Sequence, residues 1–266
     1  SPERQRLLAA LRAVLRQIPP RKAWYTGAAD RFDAFLAAHP EAERFGERRG
    51  DELPWALIPG VDPRNTEDIT FTTEAFCGVF AETGFEAASV AEYLQRAVRF
   101  ANETLWGTLN ATLIVHPAAL RDPETARAVE QAIADLRYGT VTVNHWAAIG
   151  YGLVVTPWGA FPGHTRRDIQ SGTGVVHNTL MFSRPQKTVV RAPFTVWPKP
   201  VWFATHRTAH KITPKLVRFR HRTLRPHHER AFALGFDQRQ PEAVRLKASL
   251  ASVYPGACRI TSSEST

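Results

Sequence analysis

The side chains best equipped for chemistry are two cysteines, a run of histidines and one acidic-aromatic segment. Cys77 and Cys258 are the only thiols. A nucleophilic thiolate needs a nearby base or cation to lower its pKa, and no base stands beside Cys77 in sequence, so structural burial is its expected role. Cys258, in a basic stretch, is a weaker candidate still. His206 and His210 lie one helical turn apart, with His221, His227 and His228 downstream. On a helix that spacing could hold a metal ion, but no acidic or cysteine partner completes the set, and a solvated basic tail is expected instead. Gly172-Thr173-Gly174 lacks the third glycine and the surrounding unit of a dinucleotide-binding turn. No Gly-x-Ser-x-Gly elbow, phosphate loop or His-Glu-x-x-His motif occurs. The most specific segment is Thr73-Glu74-Ala75-Phe76-Cys77-Gly78-Val79-Phe80. Taken alone, a glutamate ahead of a strand is a solvated edge residue and Phe76 a core residue.

These residues sit in a chain of 266 residues, 44% hydrophobic and 22% charged, which fits one or two globular domains. Neither a charge-free apolar run long enough for a membrane span nor a signal-peptide pattern occurs, so no membrane partner and a cytoplasmic location are expected. Met181 is the single methionine and Ser1 the first residue, so the sequence is expected to be trimmed or to begin partway through a longer protein. The net charge of +9 is unevenly spread. Residues 201–266 hold 12 Lys/Arg against 4 Asp/Glu, leaving 22 against 21 in the rest. The charge therefore belongs to the tail, and nucleic acid is not an expected partner, although Arg218, Arg220, Arg222 and Arg225 flank Phe219.

The elements that must position the segment read as an α/β pattern. Pro2, Glu3 and the spacing of Leu7, Leu8, Leu11, Val14 and Leu15 predict a helix ending before Pro19, and Asp30 to Ala38 a second. Ala56 to Ile58, Ile69 to Phe71 and Gly78 to Phe85 read as strands. Ser89 caps a helix through Val90, Leu94, Val98 and Ala101, Leu109 to Val115 is a strand, and Asp122-Pro123 opens a helix to Leu136. Tyr138 to Val143 and Lys187 to Phe194 are further strands. Strand alternating with helix implies crossover helices on a mostly parallel sheet. A long Gly- and Trp-rich stretch follows Asn144, where α/β proteins usually carry sites. Beyond His206 the chain is basic, with a modest helical pattern from Glu242 to Val253, and is expected to be loosely ordered.

The blocks Glu74-Ala75-Phe76-Cys77-Gly78-Val79, Ala101-Asn102, Trp106-Gly107-Thr108-Leu109, Gly139-Thr140-Val141-Thr142-Val143-Asn144 and Thr156-Pro157-Trp158-Gly159 come in an order and spacing that resemble the aldehyde dehydrogenase superfamily. The likeness covers about residues 1–194. It implies an α/β catalytic-domain sheet with crossover helices, as a partial catalytic domain over 1–180. A C-terminal strand or arm over 181–205 would serve oligomerisation, and 206–266 would be the basic, loosely ordered tail.

The resemblance also implies NAD or NADP as cofactor and an aldehyde as substrate, oxidised to a carboxylic acid through a thiohemiacetal. Glu74 would bind the hydroxyls of the nicotinamide-side ribose, since a carboxylate can accept from both members of a diol. Phe76 would wall the nicotinamide, and Trp158 would line the aldehyde tunnel. Cys77 stands where the family usually has glycine and Gly78 where it has proline. The resemblance implies a nucleophile that precedes this motif by about a hundred residues, which is ahead of Ser1. No catalytic residue is therefore assigned here, and the chain alone is expected to be inactive. The alternative is a non-catalytic remnant acting as an oligomerisation module through an exposed β-branched edge at Lys187 to Val190.

Overall fold

The computed structural model describes residues 2–153, 156, 158–163, 165, 167–168, 187–197, 199–200, 203–215 and 217–218, and the backbone of 259–262. The chain is mixed α/β, and it divides into a unit of Ser1–Phe194 with Ile260–Thr266 and a second unit of Thr195–Arg259. The expected boundary after residue 180 lies outside the described residues, as do the Glu242 to Val253 helical pattern and most of the tail.

In the first unit, helix α1 (Pro2–Leu15) opens with Pro2 and Glu3, suited to the missing N–H partners and positive end of a first turn. It buries Leu8 and Leu15 against Phe45 and Leu57. Two strands of two residues follow the same logic on a smaller scale, β1 (Arg21–Lys22) pairing antiparallel with β3 (Glu52–Leu53). Helix α2 (Ala28–Ala38) turns Phe32, Phe35 and Leu36 inward at helical spacing. They meet strand β4 (Trp55–Val61), whose Ala56, Leu57 and Ile58 are fully buried. β4 pairs antiparallel with β2 (Glu43–Phe45) and parallel with β5 (Val79–Thr83), with Ala56 opposite Val79. Two paired carboxylates fasten α1 to this sheet: Arg12 donates to Glu43, and Arg4 donates through Nε and Nη2 to Glu82, each at 2.6 Å.

Ile69 to Phe71, expected as a strand, is instead the one-turn helix α3 (Ile69–Thr72). Its cause is Asp68, whose carboxylate accepts from the Thr70 N–H and hydroxyl at 2.9 and 2.7 Å. A three-residue apolar run does not distinguish the two states, and the cap decides it.

Beyond β5, Ser89 caps helix α4 (Val90–Glu103) and Asp122 caps helix α5 (Pro123–Asp135), each accepting from the N–H three residues on. Between them run strand β6 (Asn110–Leu113) and a 3-10 turn at Ala119–Arg121. Strands β6, β7 (Thr140–Val143), β8 (Thr188–Arg191) and β9 (Arg259–Ser262) form a sheet in that order, the first three parallel. Val129, Ile133, Leu136 and Val141 make its core, with Leu94, Val98 and Ala101 of α4 packed alongside.

The strands expected to form a single sheet are therefore divided between two, one on either side of α4 in sequence, the first with an antiparallel edge, and the β1–β3 pair makes a third, two-stranded sheet. The expected exposed edge at Lys187 to Val190 is also corrected. β8 lies between β7 and β9, and Lys187, Thr188, Val189 and Val190 are buried. In the second unit, residues 209–215 are helical and Lys199 donates to the Thr205 hydroxyl.

Candidate functional site

The segment from Thr73 to Gly78 runs from the end of α3 into β5, and its ends are held by ordinary means. Asp68, which starts α3, also meets His39 Nε2 at 3.0 Å, while His39 Nδ1 meets Glu41 at 2.9 Å. Burial disfavours the imidazolium, but the hydrogen bonds to Glu41 and Asp68 together raise the His39 pKa above its ordinary value. His39 follows directly on α2, so it ties the end of that helix to the start of α3. At the other end, a Cβ on Gly78 would lie 2.8 Å from the Trp55 indole, so only glycine lets the chain cross that ring. Cys77 packs partly buried against the cluster of Phe32, Leu36, Leu53 and Ala56. Burial pushes its thiol pKa up, with Arg31 opposing, which is the reverse of what an activated nucleophile requires.

The middle of the segment is not ordinary. Phe76 adopts φ +50°, the left-handed region, and its side chain stands 48% exposed. A bulky residue there costs about 1–2 kcal/mol, so neighbouring contacts must hold it. Arg31, projecting from the first turns of α2, supplies several. Its Nε donates to the Ala75 carbonyl at 3.0 Å, its Nη1 to the Thr26 carbonyl at 3.1 Å, and its guanidinium lies 5.5 Å from the Phe76 ring centre. Tyr25 completes the arrangement, its ring 4.9 Å from that of Phe76 and tilted by 51°. Glu74 is exposed on the same loop. Glu74 and Phe76 therefore lie two residues apart on one exposed loop, a carboxylate and an aromatic ring.

Trp158 belongs to different surroundings, on the loop that follows β7. Its ring is half-buried, 6.0 Å from Tyr151, and a Cβ on Gly150 of helix α6 (Ile149–Gly152) would meet it at 3.3 Å. The loop is sewn down nearby: Thr156 donates to the Gly150 carbonyl at 2.7 Å, and Gly139 lies so close to the Gly159 carbonyl that a Cβ would overlap it. Trp158 therefore anchors a loop of the four-stranded sheet, whereas Glu74 and Phe76 precede a strand of the three-stranded one.

Other residues of the sequence blocks have structural partners. Asn102 accepts from the Arg137 N–H and donates to the Asp135 carbonyl, closing the end of α5. Asn144, at φ +59°, accepts from the Val115 N–H and donates to its carbonyl. Lys187, the strongest surprise in the core, donates from Nζ to the carbonyls of Ile133, Ala134 and Leu136 at 2.6 to 2.8 Å. Those are the unpaired carbonyls of the α5 C-terminus, so this cation caps a helix. Burial pushes its pKa down to about 8, Asp135 opposing.

No group of three or more potential metal ligands occurs among the described residues. His206 precedes the 209–215 helix and accepts from the Thr208 N–H, while His210 lies inside that helix. Cys258, the histidines at 221, 227 and 228, and Gly172-Thr173-Gly174 lie outside the described residues, as does all of the Arg-rich run except Arg218. Sequence reasoning missed Arg31 and Tyr25. An arginine near the start of an amphipathic helix reads as solvated, and the only hint in the sequence is the aromatic pair Trp24-Tyr25 just ahead of Gly27. No protein-family model matches the chain, and no curated protein matches it.

Proposed function

We propose that the Glu74–Phe76 loop contacts the nicotinamide-ribose end of NAD or NADP, within an aldehyde dehydrogenase-like oxidoreductase of which this chain forms part and which converts an aldehyde to a carboxylic acid. The observation that carries the proposal is Phe76. An aromatic residue held at positive φ with half its surface in water gains nothing for the core, and such strain characteristically marks a ligand site. The fit to the cofactor is chemical. Glu74 offers two acceptor oxygens to a vicinal diol, and the Phe76 ring offers an apolar face to a flat heterocycle.

When bound, the dinucleotide supplies the hydride acceptor. The chain's own residues orient it: Glu74 limits rotation of the ribose, and Phe76 keeps water from one side of the ring. The resemblance assigns Trp158, on the loop after β7, a wall of the aldehyde path. The nucleophile and the base are assigned to no residue of this chain, and the high thiol pKa of the half-buried Cys77 agrees with that division.

The test is a titration of the chain with nicotinamide mononucleotide, which carries the ring and the diol without the adenosine half. Glu74→Gln keeps the size but removes the charge, and the loss of a charge-assisted hydrogen bond should weaken binding by about tenfold. Unchanged affinity would return Glu74 to the role of a solvated loop residue.

A further inference from the structure

Resting on that reading, we infer that Tyr25 is the second ring of the platform that Phe76 begins, and that Arg31 is the residue that positions both. The ligand class is a flat heteroaromatic ring joined to a ribose, the ring against the two aromatics and the diol against Glu74.

Three independent features support the pairing. Tyr25 is 60% exposed and Phe76 48%, so two large rings meet each other in water rather than in the core. Their 51° tilt is not a closed stack, so neither ring covers the whole face of the other. The backbone at both rings is also committed. Phe76 itself has φ +50°, and Gly27, two residues after Tyr25, has φ +73°, which turns the chain directly from the tyrosine into α2.

Arg31 is what joins these two turns. One guanidinium holds the Thr26 carbonyl next to Tyr25, the Ala75 carbonyl next to Phe76, and the face of Phe76. A Cβ at Gly27 would lie 3.2 Å from Arg31 Nη1, so the first turn leaves little spare room around that group. Lysine would preserve charge but has no planar fork with which to span two carbonyls. Arg31 touches no ligand in this arrangement; it is a positioning residue.

The experiment compares two probes on the full chain, nicotinamide mononucleotide and ribose 5-phosphate, the second having the sugar and phosphate but no base. Wild type should bind the mononucleotide more tightly. Tyr25→Leu should lower that affinity about twofold to tenfold, the worth of an aromatic contact, and leave ribose 5-phosphate unchanged, while Tyr25→Phe restores the ring and the binding. Arg31→Lys should likewise lose mononucleotide affinity alone, with the Phe76 ring signals in an aromatic carbon-proton spectrum moving toward their unstructured positions. If Tyr25→Leu binds both probes like wild type while Phe76→Leu loses the mononucleotide, the platform has a single ring and the inference is wrong, although the proposed function survives. If wild type does not distinguish the probes, the platform itself is refuted. If Glu74→Gln changes neither affinity, the ribose assignment falls, whatever Tyr25 does.

Discussion

Phe76 is where strain and exposure coincide, and a substitution can separate the two. Asparagine tolerates the left-handed region far better than phenylalanine. Phe76→Asn should therefore remove a large ring yet keep the unfolding free energy within about 0.5 kcal/mol of wild type, where an ordinary half-buried phenylalanine would cost about 1–3 kcal/mol. Urea unfolding measures this, and a loss above the ordinary cost would mean that the ring is there for packing. The residue itself was legible in the sequence as part of an ordered block. Its conformation was not, because a positive φ at a non-glycine residue is imposed by Arg31 and Tyr25, 45 and 51 positions away in sequence, and leaves no mark on the local pattern.

At the scale of elements, legibility followed locality. Ser89 and Asp122 announce α4 and α5 because each cap bonds an N–H three residues away. The partition into separate three- and four-stranded sheets could not be read, since it depends on which strands pair across long separations, and alternation of strand and helix is the same for one sheet or several. The burial of β8 was missed for a similar reason: its outer neighbour, β9, comes about 70 residues later. The joint between α2 and α3 carries its own prediction. The folded-state pKa of His39 is raised, so the stability it contributes is fully present below the unfolded value of 6.5 and is lost as pH climbs through the raised one. His39→Gln should thus destabilise by an amount on the order of 1 kcal/mol at pH 6 and by clearly less at pH 9, measured as the gap in urea midpoints. A gap independent of pH would show that the neutral ring does the work.

Across the whole molecule, charge and chemistry are separated. The excess of Lys/Arg is concentrated beyond residue 200, while the strained loop, its exposed carboxylate and its two rings belong to the nearly neutral first part. That distribution favours recognition by shape and a few directed groups over recognition by net field. Both core clusters beneath α2, around Phe32 and Phe35, support the same β4–β5 pair from which the loop departs, so the platform rests on a packed scaffold. On the proposed reading this loop, and not the four-stranded sheet, meets the ring and ribose of the cofactor. Mapping backbone amide shifts while nicotinamide mononucleotide is added to the isotope-labelled chain tests it most directly. The largest changes should fall on residues 73–78 and 24–31 and saturate together. Changes confined to residues 139–143 and 187–191, or none on the 73–78 loop at saturating probe, would overturn that reading.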